Sequence, residues 1–345
     1  MVQLADETSI KPSLGSGFTR IEFSTVLVII GMIVCGALVW GNSCLGQPQI
    51  EAREARLVAK KITIHEWFPP GFRQGNRQWP LIIFSHGFKG CAIQSIFLTD
   101  ALAAHGYVVL APDHADAACN ELGESQNTTT EDETGKAPPV SSPSRKISWA
   151  WRLLFGGGLP ENSALTPDRW TDEIYKVRAD EIRYTLDYIL ADPKTGPFID
   201  KNRIGLAGHS LGGYTVLGLA GGWASWKDPR FKAVLAMSPY ATTFTAQHTL
   251  RGIGVPIMYQ GGTQDIVPTL GVNKQDDNYD QTPVPKYLVV LQGAGHLAWT
   301  DTHISHHDLI NHYALAFFDK YLLGRDNGLL ASPPGQGVSD YRAAP

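Results

Sequence analysis

The chain has 345 residues, 43% of them apolar and 18% charged, with a formal net charge of −4. That length and balance suit one sizeable α/β domain with extensions better than two equal domains. No basic patch interleaved with aromatic residues occurs, which argues against nucleic-acid binding.

Residues 1–22 are polar. The run from Phe23 to Trp40 then carries no charge. At about 1.5 Å per residue it reaches across a bilayer core of roughly 30 Å. Residues 23–41 are therefore expected to be a transmembrane helix or a signal-peptide core, with membrane association through residues 23–40 or secretion after cleavage. Lys11 and Arg20 are offset by Asp6, Glu7 and Glu22, so the flanking charge does not choose between anchor and signal. A buried core helix is disfavoured because the run has no polar face. Residues 42–56 read as a linker.

A domain is expected over residues 57–323. Residues 57–68 alternate in part, as an antiparallel edge strand does. PLIIFSHG is a short continuous apolar run, the mark of a strand buried on both faces. A helix over 92–105 and a second buried strand, GYVVLAP, follow. Residues 115–170 interrupt this rhythm as a variable insertion or lid. Within it Trp149, Trp151, Leu153, Leu154 and Phe155 suit a membrane, a greasy substrate or a packed lid equally well.

Between Asp172 and Leu190, apolar residues at Ile174, Val177, Ile182, Leu186 and Ile189 keep near-helical spacing. RIGLAGHS is a strand ending in a tight turn, and a small-residue helix follows to Gly222. FKAVLAMSP, VPIMYQGG and KYLVVLQG are three further buried strands. His306–Leu323 reads as a closing helix, and 324–345 as a loose tail. The alternation predicts an α/β fold, a mainly parallel central sheet with helices on both faces, whose ligand site lies beyond the carboxyl ends of the strands.

The strongest chemical signal is Gly208-His209-Ser210-Leu211-Gly212, between strand and helix. A nucleophile on so sharp a turn needs strained backbone angles and close helix–strand approach, which flanking glycines permit. The Leu211 amide is a natural oxyanion donor. Ser85-His86-Gly87-Phe88, at the end of an earlier strand, offers a second donor in the Phe88 amide. A serine hydroxyl needs a base to take its proton. Of 11 histidines, His296 alone follows the last predicted strand directly. His209 lies beside the nucleophile and His86 in the oxyanion turn, while His303, His306 and His307 start the last helix. The orienting acid belongs between serine and histidine at a strand end, which favours Asp265 over Asp276, Asp277 and Asp280. Asp301, His303 and His307 are weighed as metal ligands but read better as polar capping residues. The chemistry needs neither metal nor organic cofactor. Cys91 and Cys119 are candidates for a disulfide, with two unpaired thiols as the alternative.

With HGF, GHSLGG and the order Ser210, Asp265, His296, the chain resembles the α/β-hydrolase superfamily. PLIIFSHGFKG, GYVVLAPDHADAAC, VRADEIRYTLDYIL and IGLAGHSLGGYT are similar to its platelet-activating factor acetylhydrolase and dienelactone hydrolase-like branch, with polyester hydrolases and chlorophyllases as cousins. Dienelactone hydrolases use a cysteine nucleophile where this chain has Ser210. The resemblance implies a serine hydrolase of short acyl esters, acting on ester or lipid substrates, with Phe88, Leu211 and Trp299 as candidate pocket walls. Oligomeric state is not legible. The alternatives are a serine peptidase or acyltransferase on the same scaffold, or a catalytically dead, membrane-tethered binding module.

Overall fold

A computed structural model describes residues 50–57, 62–118, 167–265, 277–331 and 334–345. The apolar run 23–40 and most of the insertion 115–170 lie outside the described residues. Among the described residues no helix is long and apolar enough to cross a membrane.

Nine strands form one sheet in the order β1-β2-β4-β3-β5-β6-β7-β8-β9. They are β1 (Glu51–Leu57), β2 (Ile62–Phe68), β3 (Trp79–Ser85), β4 (Val108–Pro112), β5 (Ile199–His209), β6 (Phe231–Met237), β7 (Ile257–Gly262), β8 (Lys286–Leu291) and β9 (Val338–Ala344). The six central strands pair in parallel. Antiparallel pairs add β1 and β2 at one edge and β9 at the other.

The helices are α1 (Ile96–His105), α2 (Lys176–Ala191), α3 (Leu211–Leu217), α4 (Thr242–Ala246), α5 (Asn278–Gln281) and α6 (His307–Phe318). α3 and α6 each run on into a short π-helical turn. Two apolar cores flank the sheet. Leu81 and Ile83 of β3 face one side, with Ile182 and Leu186 of α2 and Tyr214 of α3. Ile82 and Phe84 face the other, with Leu98 and Leu102 of α1 and Phe317 of α6. The period-2 alternation thus feeds both layers, which explains why the central strands read as unbroken apolar runs.

The sheet extends past residues 57–323 on both sides. Residues 51–56, expected to be linker, form β1 together with Leu57 and pair with β2 as the edge strand, so β2 is not the edge. The tail expected to be loose supplies β9, from Lys286↔Ala344 to Leu291↔Val338. Its sequence, VSDYRAA, lacks a continuous apolar run because it lies at an edge and is only half-buried.

The chain turns one way from β3 to β4 and the other way to β5. The carboxyl ends of neighbouring strands β3 and β5 therefore meet at the topological switch point, where open α/β sheets bind ligands. Ser85 pairs with Gly208 there, one residue before the two glycine-rich turns.

Candidate active site

Ser210 follows β5 on a strained turn, with φ 55° and ψ −116°. Its N–H donates to the Met237 carbonyl at 3.0 Å, and its carbonyl accepts from the Tyr240 and Tyr214 amides at 2.9 and 3.1 Å. The flanking glycines are sterically required. A Cβ on Gly208 would sit 2.3 Å from the Gly212 carbonyl oxygen, and one on Gly212 would sit 1.9 Å from that of Ser85. The sequence signal therefore rests on real contacts: α3 lies directly against β3 and β5.

His296 opens a single 3-10 turn, His296–Trp299, just beyond β8. Its Nε2 lies 3.0 Å from the Ser210 hydroxyl oxygen. Its Nδ1 lies 3.2 Å from Asp265 Oδ1, and both side chains are nearly buried. Asp265 stands three residues after β7, its amide held by the Gly262 carbonyl. These three side chains, from three distant strand ends, thus meet at one rim of the sheet.

Ser238, one residue past β6, joins them and was not singled out from the sequence. Its hydroxyl donates to Asp265 Oδ2 and lies 2.9 Å from His296 Nδ1. A proton on Nδ1 is thus shared between Ser238 and Asp265, leaving Nε2 to accept from Ser210. Its position at a strand end was the signal, but a lone serine there is too common to read.

Asp277 caps α5 through the Asp280 amide and pairs with Arg342. Asp276 lies outside the described residues.

The turn after β3 abuts the serine: a Cβ on Gly87 would lie 3.5 Å from Ser210 Cβ. The Gly87 amide donates to Gln94 Oε1 at 3.0 Å. Gln94 Nε2 in turn reaches His209 Nδ1 at 3.1 Å, and His209 Nε2 reaches the His296 carbonyl at 2.9 Å. Burial, then the nearby His296, lowers the His209 pKa to about 3. His209 is thus a neutral imidazole with Nε2–H as donor, tying the serine turn to the histidine loop.

His86 is also neutral, held at about 4 by burial and then by the Arg178 charge. It donates from Nδ1 to the Gly87 carbonyl and accepts the His114 amide at Nε2. Beneath it, His114 bridges Ser85 Oγ and Glu181 Oε2, each at 2.7 Å. Burial drives the Glu181 carboxyl up to about 7 and holds the His114 imidazole well below its ordinary value.

Some expected roles move. Trp299 is no pocket wall: it is fully buried in the α1/α6 core, its Nε1 donating to Gln260 Oε1 at 3.1 Å. Leu297, two residues earlier in the same 3-10 turn, is exposed instead. Leu211 is buried, and Phe88 is half-buried, edge-on to Tyr175 with ring centres 6.4 Å apart. Asp301 caps α1, not the last helix, accepting from the Ile96 and Phe97 amides. His307 stacks on Phe97, and no cluster fit to hold a metal ion occurs among the described residues. Cys91 is disulfide-bonded; Cys119, its expected partner, lies outside the described residues.

A family model, "Platelet-activating factor acetylhydrolase, isoform II", matches residues 53–141. A platelet-activating factor acetylhydrolase of Cavia porcellus is 23% identical over 278 residues, 71% of this chain. Both matches support the platelet-activating factor acetylhydrolase branch of the α/β-hydrolases. The resemblance expected from the sequence is borne out at that level. The family match spans the β3 strand and its turn but stops before Ser210, Asp265 and His296. The chain spans 58% of the length of the Cavia porcellus acetylhydrolase.

Proposed function

We propose that the chain is a serine carboxylic-ester hydrolase of short acyl esters, working through an acyl-enzyme. The observation that carries this reading is the 3.0 Å contact of His296 Nε2 with the Ser210 hydroxyl, with Asp265 on the far side of the imidazole. Ser210 Oγ attacks the ester carbonyl while His296 takes its proton. Asp265, with Ser238, fixes the imidazole tautomer and stabilises its cation. The amides of Leu211 and Phe88 receive the charge that develops on the carbonyl oxygen. His296 then protonates the leaving alcohol and activates a water that frees the acyl group.

The substrate class is drawn from the acetylhydrolase relatives: phospholipids carrying a short acyl ester, with polyesters as a cousin substrate. The N-terminal apolar run and the disulfide at Cys91 both suit an exported protein, because disulfides persist in oxidising compartments. The decisive test pairs fluorophosphonate labelling with rates on acetyl, longer acyl and peptide anilide substrates. Labelling at Ser210 with rates falling from acetyl to long acyl chains is expected. Absence of labelling marks a binding module, and preference for the anilide marks a peptidase.

A further inference from the structure

The proposed hydrolysis needs an amide in the turn after β3 aimed at the substrate oxygen. Arg178, in the first turn of α2, is fully buried. Its Nη1 donates to the His86 carbonyl at 2.7 Å and its Nη2 to the Gly87 carbonyl at 3.0 Å. Nε and Nη2 also grip Asp116, each at 2.9 Å. Asp116 in turn accepts the Lys89 amide at 3.3 Å. Four N–H groups of one guanidinium are thus committed to a single turn and its brace.

The consequence follows from peptide geometry. In a trans peptide the C=O and N–H point in opposite directions. The carbonyl of the Gly87–Phe88 peptide receives Arg178, the His86 imidazole and the Gly90 amide at once. Its N–H, that of Phe88, therefore points away from Arg178. In the preceding peptide Arg178 takes the carbonyl, while the Gly87 N–H is taken by Gln94. By gripping the Gly87 carbonyl, Arg178 fixes the plane of the peptide whose N–H is a donor in the proposed mechanism.

We infer that Arg178, braced by Asp116, is the positioning residue that sets the Phe88 amide for the developing oxyanion. This rests on the hydrolase reading of the same site. Lysine cannot take its place, because one ammonium does not span two carbonyls and a carboxylate as the planar fork does.

The test compares Arg178→Lys with wild type on p-nitrophenyl acetate and on a trifluoromethyl ketone, whose adduct with serine carries the oxyanion. The expected result is a fall in kcat of about 10²-fold with KM changed less than about threefold, and a parallel loss of ketone affinity. Added guanidinium ion should restore part of the rate in Arg178→Ala. Should neither Arg178 variant fold, Asp116→Asn carries the test, with a loss of about tenfold in kcat and the same parallel loss of ketone affinity. A folded variant that keeps its kcat and ketone affinity, or that changes KM alone, overturns the inference while the hydrolase reading stands. Wild type inert toward both the ester and a fluorophosphonate sinks that reading, and this inference with it.

Discussion

Two turns meet at the switch point, and they are held in opposite ways. The turn after β5 carries its own instructions: a serine in a left-handed conformation, glycines where a Cβ would strike backbone, and amides bonded to neighbouring strand ends. The turn after β3 borrows its shape. Arg178 comes from α2, Gln94 from the loop before α1, and His114, itself bonded to Glu181, from beyond β4. A nucleophile can be set by strain within one short segment. The Phe88 amide is set through the carbonyl of its own peptide, which Arg178 reaches from α2.

The comparison can be broken most sharply at the self-held turn. Ser210→Ala should lose roughly 10³-fold or more in kcat while melting as wild type does. Near-wild-type turnover would remove the nucleophile assignment. Asp265→Asn should lose roughly 10²-fold or more in kcat, because the imidazole is then held in the wrong tautomer. Steady-state rates against Asp277→Asn settle whether the acid is correctly placed, since Asp277 serves α5 and Arg342 instead.

Gly212→Ala sharpens the contrast further. The added methyl would meet the Ser85 carbonyl, so α3 must move off β3, at a cost of about 3 kcal/mol. Urea unfolding measures this, and an unchanged midpoint would mean the close approach is dispensable. The smallest effect is expected at Glu181 on α2, which holds His114 behind the borrowed turn. The folded-state pKa of Glu181 is raised from its ordinary 4.5 to about 7. Its contribution to stability is therefore fully present below pH about 4.5 and lost as pH rises through about 7. Glu181→Gln should flatten the fall of melting temperature across that window. Parallel profiles for variant and wild type would show that Glu181 does not titrate there.

The same contrast explains what could be read in advance. β3 to β8 were legible because strands buried on both faces leave continuous apolar runs. The serine turn was legible because its steric requirements select glycine at fixed offsets. β9 was missed because a half-buried edge strand carries no such run. On α2, Val177 looked like part of the apolar stripe but is 52% exposed, while Arg178 and Glu181 occupy the buried face. Two charged residues three apart within an otherwise apolar stripe were the available signal. Ser238 left only its place at a strand end and Gln94 left none, since their roles depend on His296 and His209, far away in the chain.

The amino-acid order by itself determined the sheet's central strands, the strained serine turn and the sequence Ser210, Asp265, His296. Those features depend on local sterics and on which side chains shun water, and both are written in short stretches. Only the tertiary structure decided which polar side chains would be buried together around His86 and Gly87, and that Trp299 would turn into the core. Such choices depend on which distant hydrogen-bonding partners the folded chain brings within 3 Å, and no short stretch of sequence records that.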